Sequence, residues 1–329
     1  MHPERFLDDL TAKPTRLIAL ADAIDAGTAF AWPDVRPSDR FLLAGMGSSW
    51  FAAQVAALRL RRAGVTAVAE LASAERSWPV ADDLAVVAIS ASGGSTETLD
   101  LVRELDGARV IALTNTEASP LRELAGHVVD LHAGPEVSGV ACRSELHTIV
   151  ALLALEEQLS GTQLGLADAC RAAARAVEHL LTTRDTWAAE AAERLAGPRG
   201  TWLVAPADRI ASALQGALMF REVPRCQADG CETGDWSHVD VYLTKTLDYR
   251  ALVFPGSRYD AEAARWMTER AATVVAVHPS DAPGFAAAQQ SITYPSGGHP
   301  LTPLLVETTV AELVAAHLLA AAGAPSSGA

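Results

Sequence analysis

Five apolar stretches of this chain return later in the same order and at nearly one distance, and this recurrence restricts the fold more than any other feature. Residues 41–45 (FLLAG) are answered by 201–205 (TWLVA), 160 positions on. Residues 85–90 (AVVAIS) are answered by 251–256 (ALVFPG), 166 positions on. The runs 109–113 (RVIAL) and 127–130 (HVVD) are answered by 273–277 (TVVAV) and 291–294 (SITY), both 164 positions on. A long apolar helical stretch at 142–160 has its counterpart at 304–322. Runs this short, rich in β-branched residues and separated by helical segments, predict parallel strands buried on both faces. Their recurrence predicts two copies of one α/β unit, diverged in sequence but alike in layout.

The first copy has one further predicted strand, 65–69, and is preceded by a predicted lead-in helix over 4–26. That helix is marked by Leu7, Leu10, Leu17, Leu20 and Ile24 and stopped at Gly27. The expected organisation is a first domain over 1–165, a linking helical segment over 166–195, a second domain over 196–323 and a flexible tail over 324–329.

Composition narrows the function. Half of the 329 residues are hydrophobic, which suits sizeable cores, and the formal charge of −14 argues against a nucleic-acid partner, which needs a basic surface. No uninterrupted apolar run reaches the roughly 18 residues of a membrane span, and the first residues lack a signal-peptide pattern. Cys142, Cys170, Cys226 and Cys231 form no CxxC pair and read as reduced thiols of a cytoplasmic protein. Cys226, Cys231 and His238 match no common zinc spacing, so no metal and no cofactor is expected.

The chemistry is concentrated in one loop, Ser90-Ala91-Ser92-Gly93-Gly94-Ser95, between a predicted strand and a predicted helix. Glycines let a backbone approach a ligand, the helix start offers free N–H groups, and serines add neutral donors: together they suit phosphate. Gly45-Met46-Gly47-Ser48-Ser49 is a second strand-to-helix turn, expected to face the same crevice. Gly45 and Gly47 also resemble the start of a dinucleotide fingerprint, but its third glycine is absent. The corresponding loop of the second copy, Gly256-Ser257-Arg258-Tyr259-Asp260, puts an aspartate and a bulky aromatic where an anion would sit. One phosphate cradle per chain is therefore expected.

These turns in a duplicated chain resemble the SIS (sugar isomerase) domain family, in particular the isomerase half of glucosamine-6-phosphate synthase and stand-alone phosphosugar isomerases, deaminases and deglycases. The resemblance extends from the lead-in helix to about residue 322. It implies two tandem flavodoxin-like domains, each a parallel sheet with helices on both faces. Gly47-Ser48-Ser49 resembles the family's Gly-Thr-Ser turn, and Ser90 to Ser95 its Ser-x-Ser-Gly-x-Thr phosphate loop. The segment 133–142 is similar to a family segment lining the sugar, which implies binding roles for Val140 and Cys142. Residues 215–222 (QGALMFRE) resemble the family's Glu-Gly-Ala-Leu-Lys-x-Lys-Glu helix, whose last glutamate is the general base; that position is Glu222. Asp235-Trp236-Ser237-His238 resembles its Glu-x-x-His segment, whose histidine opens the sugar ring and reaches a neighbouring subunit. The resemblance thus implies catalytic Glu222 and His238 and a homodimer with shared sites. Two departures stand out: Met219 occupies the place of a lysine, and no lysine follows Lys245.

The types fit the chemistry. A partly buried carboxylate can move a proton between C1 and C2, and an imidazole can open the ring. The same residues also admit plainer readings: Glu222 as a solvated residue paired with Arg221 or Arg225, and His238 as a structural histidine. The expected function is isomerisation, or deamination or deglycation of an aminosugar phosphate, with a non-catalytic phosphosugar sensor as the alternative.

Overall fold

A computed structural model describes residues 3–75 and 78–323; the tail expected over 324–329 lies outside them. Two compact units emerge, one made of residues 16–136 and 141–171, the other of residues up to 15, 137–140 and residues from 172 on. The predicted lead-in helix is two helices, α1 (Pro3–Thr11) and α2 (Lys13–Asp25). Pro14 explains the break, because its ring has no N–H to continue the ladder and it is tolerated only in a helix's first turn.

In the N-terminal unit, β1 (Arg40–Gly45), β2 (Ala67–Leu71), β3 (Leu84–Ile89), β4 (Arg109–Thr114) and β5 (His127–Asp130) form a parallel sheet in the order β2-β1-β3-β4-β5. The helices are α3 (Ser48–Arg62), α4 (Thr96–Glu104), α5 (Pro120–Leu124) and α6 (Arg143–Ser160). Alternation along the strands gives each face its own core. Leu42, Val86 and Ala112 pack with Leu99 and Val102 of α4 and Leu121 of α5. Leu43, Val87 and Leu113, fully buried, have the opposite parity and so point to the other face. The strand predicted at 65–69 lies two residues later, set by the pairing of Phe41 with Ala67.

The C-terminal unit repeats the plan. After α7 (Leu166–Thr183) and α8 (Ala188–Leu195) come β6 (Thr201–Ala205), α9 (Ile210–Glu222), β7 (Ala228–Glu232) and α10 (Thr233–Trp236). Then follow β8 (Arg250–Val253), α11 (Asp260–Glu269), β9 (Thr273–Pro279), β10 (Gln290–Tyr294) and α12 (Thr302–Gly323). The sheet order β10-β9-β8-β6-β7 is that of the first sheet, with β7 in the place of β2. Two parallel five-stranded sheets in flavodoxin order are the tandem α/β arrangement expected. Strand β7 was not predicted: Ala-Asp-Gly-Cys-Glu has neither β-branched residues nor alternation, and only its pairing with β6 makes it a strand. The strand predicted over 251–256 stops at Val253, ahead of Pro255.

Helix α12 bears on the expectation about apolar runs without breaking it, since Glu307, Glu312 and His317 interrupt the stretch. Residues 302–322 are long and apolar enough to cross a membrane, with mean hydropathy 1.6, yet 72% of that stretch is buried within the protein. Two glutamates on it are fully buried: Glu307 pairs with Arg209, and Glu312 with Lys13. Partnered carboxylates of this kind suit a core helix better than a lipid-facing one.

His147 on α6 is buried, with Nδ1 2.8 Å from the Leu131 carbonyl oxygen. Burial pulls its pKa from 6.5 down to about 4. The unfolded chain therefore takes up a proton that the folded one refuses, and stability falls as pH drops from 6.5 towards 4. We expect this group to remove about 3 kcal/mol across that window. Denaturant unfolding of the parent and of His147→Gln should give a flatter pH dependence for the variant; equal slopes would refute the assignment.

Candidate functional site

The reversal of strand order in the N-terminal sheet places the ends of β1 and β3 side by side, Gly45 opposite Ile89. Ligands of doubly wound sheets bind at this switch point, and both serine turns leave from it. A side chain at Gly45 would put its Cβ 2.6 Å from the Ser49 Cβ and 3.0 Å from the Ile89 oxygen, so glycine lets α3 start close against β1. Gly47 precedes α3 at φ +52°, Ser48 is buried and Ser49 half-buried.

The loop after β3 is held by its own main chain. Ser90 N–H donates to the Leu113 oxygen at 3.1 Å, Gly93 N–H to the Ser90 oxygen at 2.9 Å, and Asn115 N–H to the Ala91 oxygen at 3.0 Å. Thr114 and Thr116 hydroxyls both donate to that same Ala91 oxygen at 3.2 Å. Gly93 has φ +64°, and a Cβ there would lie 2.1 Å from the Ser119 Oγ, so the turn admits only glycine. Ser90 is buried, Ser92 exposed and Ser95 half-buried. Ser95 precedes α4, and its hydroxyl donates to Glu97 Oε2 at 2.9 Å instead of capping the helix. Helix α4 begins directly after the loop, and the first-turn amides of a helix lack intrahelical partners, as in anion sites.

The segment before α6 acquires a role that sequence reading did not assign. Glu136 Oε1 accepts the N–H groups of Cys142 (2.8 Å), Arg143 (2.6 Å) and Ser144 (3.1 Å), while Oε2 accepts the Ser144 hydroxyl at 2.6 Å. Glu136 therefore closes the start of α6. Val140 and Cys142, expected to line the sugar, have fully buried side chains. In the other unit, Asp9 accepts the N–H groups of Val137 at 3.1 Å and Ser138 at 2.8 Å, which fixes residues 137–140. No local signal could have revealed Asp9, because its partners lie about 130 residues away.

In the C-terminal unit, Gln215, Met219 and Glu222 occupy one face of α9 by helical spacing. Gln215 and Met219 are fully buried, and Glu222, the last residue of the helix, is half-buried. Gly216 is required because a Cβ there would meet Leu203 at 2.5 Å and Ala311 at 3.0 Å. Glu232, at the end of β7, caps α10 by accepting the N–H groups of Gly234 (2.7 Å) and Asp235 (2.9 Å). Trp236 anchors the following turn: it is fully buried, and its Nε1–H donates to the Tyr249 hydroxyl at 2.7 Å. Tyr249 in turn stacks on Trp202 with ring centroids 4.5 Å apart. The anchored turn leaves His238 exposed beside Val239 and Tyr242, themselves 56% and 61% exposed.

The loop after β8 repeats the position of the serine loop but not its chemistry. Gly256 N–H donates to Asp260 Oδ2 at 2.6 Å, and Arg209 donates to the Pro255 oxygen at 2.6 Å. Arg209 also binds both oxygens of Glu307 at 3.1 Å, and Ser212 donates to Glu307 at 2.7 Å. Burial pushes the Glu307 carboxyl above its usual range, while Arg209 and Ser212 oppose this.

A doubly wound sheet with a loop of small hydroxyl residues at its switch point defines the class of protein. Within it, residues 34–155 match the SIS domain. The chain is 27% identical over 229 residues to a glutamine–fructose-6-phosphate aminotransferase (isomerizing) of Sulfolobus acidocaldarius, a match covering 69% of this chain and 38% of that protein. The chain spans about half the length, or less, of the curated relatives it matches. Its fold is similar to the C-terminal domain of glucosamine-fructose-6-phosphate aminotransferase from Francisella tularensis, with TM-score 0.82, 16% identity and coverage of 97% and 99% of the two chains. It is also similar to tagatose-6-phosphate ketose/aldose isomerase from Escherichia coli, with TM-score 0.75, 16% identity and coverage of 97% and 93%.

Proposed function

We propose that this protein processes a phosphorylated sugar or aminosugar by enolisation at C1/C2, as an isomerase or as an aminosugar-phosphate deaminase or deglycase. The observation that carries the reading is the serine loop at the switch point, locked into shape by Gly93 and backed by the start of α4. Ser90, Ser92 and Ser95, with the Gly47-Ser48-Ser49 turn, hold the phosphate. Glu222 moves the proton, and His238 protonates the ring oxygen. The relatives and structural neighbours that act on fructose or tagatose 6-phosphate support this class of substrate. Met219 supports a second reading, binding without turnover, because a buried thioether stands where the related helix has a lysine.

Ser92→Ala tests the cradle. Ser92 is exposed, so the fold should be unchanged. Each hydroxyl donated to a dianion is worth about 1.5–3 kcal/mol, so affinity for sugar 6-phosphates should fall about tenfold or more. Calorimetric titration giving equal affinity for variant and parent would overturn the assignment.

We further propose that the protein acts in the cytoplasm as a homodimer whose sites share His238. The exposed Val239 and Tyr242 beside it supply apolar surface for such a contact. Sedimentation should give a dimer, and Tyr242→Glu should weaken it and lower activity together; a fully active monomer would rule the arrangement out.

A further inference from the structure

A cavity of about 440 Å³ opens at the amino ends of β6 and β7, where Thr201 and Ala228 begin their strands. It lies on the sheet edge opposite that of the loop after β8. Its lining combines three chemistries. Arg199 and Arg221 line it, neither with a carboxylate partner among the described residues; Arg221 Nε donates to the Ala217 oxygen at 3.3 Å. Asp229 and Asp240 supply negative charge. Trp202 and Leu243 form an apolar wall. Asp240 is half-buried, and burial, with the nearby Asp229 and Asp235 carboxylates, pushes its carboxyl upward. A cation placed between Asp229 and Asp240 would relieve that repulsion, and an anion would satisfy the two arginines. The volume falls in the range of small-molecule pockets.

Connectivity gives the cavity a second property. Arg221 is followed directly by Glu222 at the end of α9. Strand β7 begins at this cavity, and its far end, Glu232, caps the helix that leads to His238. Asp240 and Leu243 belong to the helical turn immediately after His238. The walls formed by Arg221, by β7 and by Asp240 and Leu243 are thus continuous in the chain with the two groups assigned to chemistry.

We propose that this cavity is an effector site for a small zwitterion, whose carboxylate or phosphate is held by Arg199 and Arg221 and whose ammonium is held by Asp229 and Asp240. The chemistry is shared by α-amino acids with apolar side chains and by aminosugar phosphates. The test uses L-leucine, L-phenylalanine and glucosamine 6-phosphate, with 3-phenylpropionate and glucose 6-phosphate as counterparts lacking the ammonium. Titrations are made in the parent and in the Ser92→Ala protein, in which the serine loop is weakened. At least one zwitterion should bind, its Kd should rise tenfold or more in Arg199→Gln and in Arg221→Gln, and Asp240→Asn should erase the preference over its ammonium-free counterpart. The altered side chains lie at the surface or half-buried, and melting curves of each variant check that the fold is kept. In the parent, saturation with the bound zwitterion should change the rate of C2 proton exchange at least twofold, and Arg199→Gln should abolish that change without altering the basal rate. Binding that survives both arginine substitutions, or no binding by any zwitterion, overturns the site. Binding lost in Ser92→Ala alone would assign the ligand to the serine loop and refute this cavity, leaving the phosphosugar reading intact. Binding without any change in exchange rate would refute the effector role.

Discussion

Glu222→Gln should lower exchange of the C2 proton of a bound phosphosugar with deuterated solvent by about a hundredfold or more, the usual worth of a positioned general base. Glutamine keeps the shape at the end of α9 and removes the basic oxygen. Gln215 and Met219 hold the buried face of that helix, so the change falls on a half-buried terminal residue and spares the core. Affinity for the phosphosugar should persist, because the serine loop belongs to the other unit. His238→Asn should behave differently, slowing reactions that begin from the closed ring and sparing open-chain substrates. The readout is proton-exchange NMR on each phosphosugar that binds. A parent protein that binds phosphosugars and exchanges no C2 proton would exclude enolisation and leave the binding-only reading.

Arg209→Leu should be the most destabilising single change we identify. It removes the guanidinium that faces both oxygens of the fully buried Glu307 and leaves only the Ser212 hydroxyl. Removing one partner of a buried ion pair costs about 3–5 kcal/mol. The double variant Arg209→Leu/Glu307→Leu should recover much of that loss, since an apolar replacement of both partners leaves no stranded charge. The pH dependence has a definite sign. Glu307 already has a folded pKa above its ordinary 4.5, and loss of Arg209 raises it further. The folded state then binds the proton more tightly than the unfolded one, so the variant is relatively most stable below pH 4.5 and loses stability as pH rises. Urea unfolding of the parent, single and double variants checks this; a single variant within 1 kcal/mol of the parent would contradict about 3–5 kcal/mol for a stranded charge.

The two sheets were legible in the sequence because their central strands are buried on both faces and therefore read as unbroken apolar runs. Strands β3 and β6 fall where those runs predict. The edge strand β7 was not, since its conformation is imposed by β6 and not by its own side chains. The serine loop was legible because its chemistry is local, with donors, glycines and a helix start contiguous in the chain. Groups whose partners are distant in sequence were not: Asp9 under the 137–140 segment, Ser119 against Gly93, and Arg209 on Glu307. For Val140 and Cys142 the resemblance pointed to a segment lining the sugar, but not to where their side chains lie, which is inside the protein.

The carboxylates at Glu136, Glu232 and Asp260 have a consequence for selectivity. Each takes up main-chain N–H groups at or just before a helix start, where a free anion would otherwise find a welcome. The chain thus carries captive anions of its own in several places that could act as decoys. On the proposed reading, an acidic protein so supplied would turn away stray ions twice, by its overall field and by prior occupancy, and would leave the turn rich in neutral hydroxyls as the place where a dianion gains most.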